Sequence, residues 1–149
     1  MTSAPMSQPE QDPREWLRFA RSDLAAARVV RGDPDVLPCQ VTFHAQQAAE
    51  KAIKAVLVHD GQPFPFTHDL SELIWRVERA GRPWPEVLQD VETLTPFAAQ
   101  TRYPSDFQQP SQVEVDQAIQ YAQAAWDWAA AIVNPQSAPS APADATKPS

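Results

Sequence analysis

The sequence contains little glycine and cysteine and no long hydrophobic run, and each shortage excludes a class of protein. Only three glycines stand among 149 residues, too few for the many tight turns of a β-sandwich or a barrel. The one cysteine, Cys39, cannot form a disulfide within the chain or a zinc site built from several cysteines. No apolar run approaches the ~20 residues that a membrane-spanning helix needs.

Signals for export and for several common active sites are missing as well. The first residues, MTSAPMSQPEQDP, lack the apolar core of a signal peptide. We therefore expect a cytoplasmic protein with no membrane contact. The sequence has no glycine-rich phosphate loop, nucleophile elbow or zinc signature. His44 has no second ligand at i+4, so we expect neither a metal nor another cofactor.

Positive charge is also scarce. Twelve lysines and arginines face 19 aspartates and glutamates, which gives a formal net charge of −7. Such a molecule as a whole repels nucleic acid and anionic membranes. A nucleotide or an RNA could therefore bind only through a local basic patch.

Helical periodicity and helix-capping signals fill the middle of the chain. Asp12, Pro13 and Glu15 predict a capped helix that ends near Arg31, before Gly32-Asp33-Pro34. A long second helix is predicted to begin between residues 36 and 39 and to stop at Asp60-Gly61.

Two further helices and a shorter piece follow. Thr67 or His68 is the predicted cap of the third helix, which Gly81 and its neighbours end. Residues 85 to 96 predict another helical segment, kinked or ended by Pro96. Ser111 and a glutamate three residues later form a capping box for the last helix.

These elements predict an all-α protein, an antiparallel up-and-down bundle of four to five helices. Residues 12–134 make up the predicted bundle. Residues 1–11 are predicted to be a disordered lead-in, and residues 135–149 a disordered tail rich in proline, alanine and serine.

The predicted second helix has two different sides. At 100° per residue, a mostly apolar stripe contains Cys39, Thr42, Gln46, Ala49, Ile53, Val56 and Leu57. The opposite side carries His44, Gln47, Lys51 and Lys54, with Phe43 and Glu50 alongside. We refer to His44, Gln47, Lys51 and Lys54 as the polar column. Periodicity alone leaves two interpretations open, a binding surface and an ordinary solvated face.

Two short motifs further along the chain offer candidate chemistry. Arg102 is a planar donor suited to phosphate, and Tyr103 is a stacking ring that Pro104 would help to present. The alternative is an ion pair of the arginine with a nearby carboxylate and a tyrosine that fills the end of the bundle. His68 and Asp69 could form a general-acid pair, but helix capping explains both without chemistry.

In this order and spacing, FHAQQAAEKAIKAVLVHDG, THDL and RYP resemble the HEPN domain family, over nearly all of the predicted bundle. The resemblance implies a four- to five-helix bundle that commonly dimerises. Small bacterial members are often encoded beside a minimal nucleotidyltransferase. The two proteins form a complex that is often regarded as a toxin–antitoxin or nucleotide-transfer module.

Many members of this family are ribonucleases that pair an arginine with a histidine four to six residues later. No arginine of this sequence is followed by a histidine at that spacing, and Arg102 has no histidine after it, because His68 is the last. We therefore expect a non-catalytic module that binds a nucleotide or a nucleotidyltransferase partner. The candidate residues are His44, Gln47, Lys51, Lys54, His68, Asp69, Arg102 and Tyr103. The alternatives are a metal-independent ribonuclease toxin with an atypical site and a purely structural dimer.

Tryptophan content favours a homodimer. If Trp126 faces the core, Trp128 points roughly 160° away from it on a straight helix. Exposed tryptophans are enriched at interfaces.

Overall fold

The protein is built from helices. The computed structural model describes residues 8–99 and 108–135, and in that part of the chain it contains no strand. The α-helices are α1 (Pro13–Val30), α2 (Pro38–His59), α3 (Leu70–Arg79) and α4 (Gln112–Val133). Short 3-10 helices cover Pro9–Gln11, Glu86–Leu88 and Val91–Ala98. The predicted all-α bundle is confirmed.

The first helix begins where the sequence predicts, although its cap differs in detail. The Asp12 side chain accepts a hydrogen bond from the backbone N–H of Arg14 at 2.9 Å, which satisfies one of the unpaired donors of the first turn. The Glu15 carboxylate binds the Arg18 guanidinium at 2.9 and 3.1 Å. It therefore forms an ion pair instead of the predicted capping box.

The second helix is the centre of the bundle. Thirteen of its 22 residues are buried, against four of 18 in α1, because α1, α3, α4 and the last 3-10 helix all pack on it. Five alanines of α2 have no exposed surface, and their small side chains let the neighbouring helices approach closely. The division of this helix into an apolar and a polar side is wrong for two residues, since Glu50 is 3% exposed and Lys54 is 6% exposed.

The chain reverses direction after α2 through an extended segment. Gly61 closes the helix with φ at 70°, a conformation that favours glycine. Residues 62–69 then run back along α2 until the carbonyl of His68 accepts a hydrogen bond from Gln46 at 3.2 Å. After α3, Arg82 forms a bidentate ion pair with Asp60 at 2.7 and 2.8 Å. This pair joins the ends of α2 and α3.

The third helix and the segment after it differ from the prediction. Asp69 itself caps α3 and accepts from the backbone N–H of Ser71 at 3.0 Å, whereas Thr67 accepts from the N–H of Asp69. Thr67 and His68 are therefore not the cap. The helical segment predicted after residue 85 is present as two 3-10 helices. The second, Val91–Ala98, continues through Pro96 to Ala98, so Pro96 does not end the segment before Phe97.

The fourth helix confirms its predicted start and corrects the prediction for its tryptophans. Ser111 and Glu114 form the capping box, with bonds of 2.8 and 3.1 Å. Trp128 does not point away from the bundle, because its ring packs edge-on against Trp84 with centroids 4.9 Å apart. Trp126 donates its indole N–H to the carbonyl of Leu17 at 3.0 Å. None of the described helices has the length and apolarity to cross a membrane.

Candidate functional site

A polar series runs through the middle of α2 and is closed off from solvent. Thr42, Gln46, Glu50 and Lys54 follow one another at i+4 spacing, and all four are buried. They therefore lie on one face of the helix. We name Gln46, Glu50 and Lys54, together with His68 from the segment before α3, the buried network.

Glu50 is the hub of the buried network. One carboxylate oxygen accepts from the ammonium of Lys54 at 2.8 Å. The other accepts from the amide of Gln46 at 3.1 Å and lies 2.9 Å from Nδ1 of His68. Gln47 adds a bond to the side-chain oxygen of Gln46 at 2.7 Å. Every charge in the network thus has a partner, as a buried charge requires.

Opposing effects act on the Glu50 carboxyl. Burial by itself raises its pKa, since the interior disfavours the charged form. Hydrogen bonds from Lys54, His68 and Gln46, together with the charge of Lys54, outweigh burial, so the pKa lies below the ordinary glutamate value. Glu50 is therefore an ionised partner of Lys54 at neutral pH.

Aromatic rings enclose the other side of Lys54. Its Nζ lies 5.7 Å from the centroid of Trp16 and 5.3 Å from that of Phe64, distances typical of cation–π contacts. The two rings meet edge to face at 5.9 Å, and the indole N–H of Trp16 donates to the carbonyl of Glu10 at 2.9 Å. The orientation of Trp16 is therefore fixed by contacts on several sides.

His44 and Lys51 of the polar column form a second cluster around Asp23 of α1. The Lys51 ammonium donates to one oxygen of Asp23 at 2.6 Å. Nδ1 of His44 lies 3.2 Å from the other oxygen. Asp23 thus binds one lysine and one histidine, the same combination that Glu50 binds. Lys51 and His44 keep 25% and 31% of their side-chain surface exposed, so this cluster reaches solvent while Lys54 does not.

His44 and His68 are each oriented by a carboxylate. A carboxylate only accepts, so the nearby Nδ1 of each ring is the donor, and Nε2 is the nitrogen without a bond to that carboxylate. The side chain of His68 is 62% exposed. Its second nitrogen is therefore open to a ligand from solvent.

An open cavity of about 280 Å³ lies beside these clusters, between α1 and α2. It is lined by the aromatic residues Trp16 and Phe19, by Lys51 of α2 and by the acidic residues Glu10 and Glu15. The charge of Glu15 is balanced by Arg18. The cavity therefore combines stacking surfaces with a partly exposed cation.

The structure places the predicted site residues in three different situations. His44, Gln47, Lys51, Lys54 and His68 lie around the carboxylates of Asp23 and Glu50, with Lys54 inside the protein. Asp69 caps α3 and bonds to Ser71. Arg102 and Tyr103 lie outside the described residues.

Sequence reasoning missed Asp23 and Trp16 and treated Glu50 only as a neighbour of the polar column. The i+4 spacing of polar residues from Thr42 to Lys54 was the available signal for the buried network. The part played by Asp23 depends on the packing of α1 against α2 and has no local signal.

Metal binding finds no support in the described part of the chain. Residues 8–99 and 108–135 contain no group of three or more histidine, cysteine, aspartate or glutamate side chains placed to hold an ion. The clusters around Asp23 and Glu50 use ammonium groups where a metal site would use further ligands.

Comparisons with known proteins agree with the helical architecture. A family model described as HEPN domain matches residues 13–132. Among solved structures, the crystal structure of TT1696 from Thermus thermophilus is similar, at 28% sequence identity and a TM-score of 0.63. The alignment covers 78% of this chain and 94% of that one. A search of curated proteins found no match.

Proposed function

Because the chain belongs to the HEPN domain family, we propose that it is a nucleotide-binding helical module whose site is the cavity between α1 and α2. The observation that carries this proposal is the meeting of Trp16, Phe19 and Lys51 around that cavity. A volume of about 280 Å³ is near the lower end for small-molecule sites and suits a nucleobase with its ribose.

Each part of a nucleotide has a counterpart in this cavity. The base would stack on the rings of Trp16 and Phe19, a contact that tolerates any base. The phosphate would lie at Lys51, whose ammonium has three N–H donors and gives one of them to Asp23. Contacts with Glu10 and Phe64 already hold the Trp16 ring, so binding costs little ordering of that ring.

Calorimetric titration of AMP and ATP tests the proposal. Phe19 is 51% exposed, so Phe19→Ala removes a cavity wall without opening the core. We expect it to weaken binding about tenfold, near the loss of one stacking contact. Trp75→Ala is the matched control, because Trp75 is an aromatic residue 54% exposed on α3. Absent binding by the wild type, or equal losses in both variants, would refute the proposal.

Ribonuclease activity is a second candidate, favoured by the histidine geometry. His68 is exposed and oriented by Glu50, the arrangement that a general base uses. Incubation with a labelled RNA in the presence of EDTA tests it. Cleavage that His68→Gln abolishes and His59→Gln preserves would establish this activity, since His59 is an exposed histidine at the end of α2. Intact RNA would exclude ribonuclease activity and leave nucleotide binding as the remaining candidate function.

The partner and the assembly state are proposals that rest on the family. A minimal nucleotidyltransferase partner, a toxin–antitoxin-like role and a homodimer are what the resemblance implies. Expression of the protein alone, with cell growth followed, tests the toxin hypothesis. Light scattering at micromolar concentration tests the homodimer, and a monomeric mass would count against it.

A further inference from the structure

A line of arginines runs along the exposed face of α1 at the spacing of a coiled-coil seam. Arg14, Arg18, Arg21, Ala25 and Arg28 follow one another at intervals of four, three, four and three residues, and all five are exposed. Alternating steps of four and three place residues on one narrow stripe of a helix. This arginine stripe is about 21 Å long, from the rise of 1.5 Å per residue.

The part of the stripe that contains Arg21 and Arg28 lies away from the cavity between α1 and α2. Its members lean towards α4, where the guanidinium of Arg21 lies 5.7 Å from the ring of Trp126 and Arg28 donates to the side chain of Gln123 at 2.8 Å. The cavity opens on the α2 side, beside Lys51. Arg18 borders the cavity, since it pairs with Glu15 and its guanidinium lies 5.3 Å from the centroid of the Phe19 ring. Within the described residues, Arg21 and Arg28 have no contact with those that line the cavity, so a partner bound at these two arginines does not depend on nucleotide binding.

Two of the arginines have no acidic partner within residues 8–99 and 108–135. Arg18 pairs with Glu15 and Arg14 lies 3.4 Å from Asp12. Arg21 contacts an aromatic ring and Arg28 an amide. Arg21 and Arg28 stand seven residues apart, about 10.5 Å along the helix, with only the small Ala25 of the stripe between them.

We propose that the arginine stripe of α1 docks an acidic α-helix of a different protein, one with carboxylates at seven-residue spacing. Two such carboxylates lie opposite Arg21 and Arg28, and a small apolar residue packs on Ala25. Arginine suits this role because its planar guanidinium can donate two parallel hydrogen bonds to one carboxylate. Val29, 79% exposed beside the stripe, adds apolar contact at the edge.

The charges of the molecule argue against other occupants. A second copy of the chain presents the same arginines, and like charges facing each other across a seam repel. A long polyphosphate that followed the whole stripe would also meet the carboxylates of Asp12 and Glu15, which pair with Arg14 and Arg18. Two discrete carboxylates opposite Arg21 and Arg28 avoid these carboxylates and the repulsion between two copies.

Fluorescence anisotropy with designed peptides tests the proposal. The probe is a labelled helical peptide with glutamates in the heptad pattern, and its control has the same composition in scrambled order. We expect the patterned peptide to bind about tenfold more tightly and more weakly as salt rises. Equal binding of the two peptides would overturn the proposal, as would tighter binding of a short oligo(U) RNA with the same dependence on Arg21 and Arg28.

Matched variants locate the binding site. Arg21→Gln with Arg28→Gln should reduce affinity for the patterned peptide about tenfold. Arg76→Gln with Arg79→Gln removes the same charge from α3 and should change it by less than about twofold. Equal losses in both double variants would mean a general effect of charge and would overturn the proposal. The double variant Arg21→Glu, Arg28→Glu should instead bind a lysine version of the peptide, and failure to gain that binding also counts against it.

Discussion

At the residue scale, Glu50 supplies the negative charge that compensates the buried ammonium of Lys54. Its carboxylate holds Lys54 from the same helix and His68 from the segment before α3. Because Lys54 is only 6% exposed, its ammonium is poorly solvated by water if the carboxylate is lost. The buried network therefore joins α2 to the chain that leads into α3.

Removal of the Glu50 charge should destabilise the fold strongly. Glu50→Gln leaves Lys54 buried without a counter-charge, a loss of about 3–5 kcal/mol in the free energy of unfolding. Urea denaturation followed by circular dichroism measures it. The double variant Glu50→Gln, Lys54→Met removes both charges and should recover much of the loss. A double variant no more stable than the single one would contradict this account of the pair.

Acid should weaken the fold through Glu50 and Asp60. Their pKa values are lowered, for Asp60 mainly by the hydrogen bonds from Arg82 and for Glu50 by the bonds of the buried network, which overcome its burial. A lowered pKa in the folded state stabilises the protein fully above the unfolded values of about 4. That contribution is lost as the pH falls through the lowered values.

Urea midpoints measured between neutral and acid pH test this dependence. The wild type should lose stability progressively below about pH 5. The Glu50→Gln, Lys54→Met variant should lose less over the same range, because one of the two carboxyls is gone. Parallel curves for the two proteins would exclude Glu50 from the acid response.

At the residue scale, the sequence could indicate the polar column but not its partners. His44, Gln47, Lys51 and Lys54 stand at helical spacing, and that spacing is local information. Asp23 meets Lys51 only because α1 packs against α2, a relation between residues 28 positions apart. Such pairs follow from tertiary packing, which periodicity does not encode.

At the element scale, the helix caps show which sequence signals predict the start of a helix without knowledge of the tertiary packing. The box that the sequence predicts at Ser111 and Glu114 is present, because both of its hydrogen bonds lie within three residues. The predicted start of α3 lies one or two residues early, since Thr67, His68 and Asp69 all have side chains that can cap. The side-chain bonds of Asp69 to Ser71 decide between them.

The cap of α4 should contribute measurably to stability. Ser111→Ala removes the acceptor of the Glu114 N–H and should cost about 1 kcal/mol of unfolding free energy. Ser22→Ala, at an exposed position inside α1, is the matched control and should change stability by less than about 0.5 kcal/mol. Thermal or urea unfolding measures both, and similar losses at the two serines would show that the box is not stabilising.

The second helix shows the limit of predicting which residues are buried from an amphipathic pattern. A helix with one buried face shows polar residues on its outer side, and α1 follows this rule. Because α2 has neighbours on most sides, four of its polar residues, Thr42, Gln46, Glu50 and Lys54, are also buried, and their charges must be paired inside the protein.

At the scale of the whole molecule, composition and helical periodicity together are sufficient to predict the fold class. Few glycines, helical periodicity and clear stop signals predict a helical bundle, and the structure has one. The distribution of charge is less accessible. An acidic chain of net charge −7 still gathers four arginines on one face of α1. Their spacing is visible in the sequence, but the contacts of Arg21 with Trp126 and of Arg28 with Gln123 follow only from the packing of α4 against α1.

The central claim is that the cavity between α1 and α2 binds a nucleotide, and the indole N–H signals of the five tryptophans test it most directly. In a nitrogen-15 correlation spectrum, added AMP should shift the signal of Trp16, which lines the cavity. The signals of Trp75 and of Trp84, which packs against Trp128, should stay in place. Saturable movement of the Trp16 signal alone is the predicted result. A Trp16 signal that stays unchanged at saturating AMP would contradict the claim.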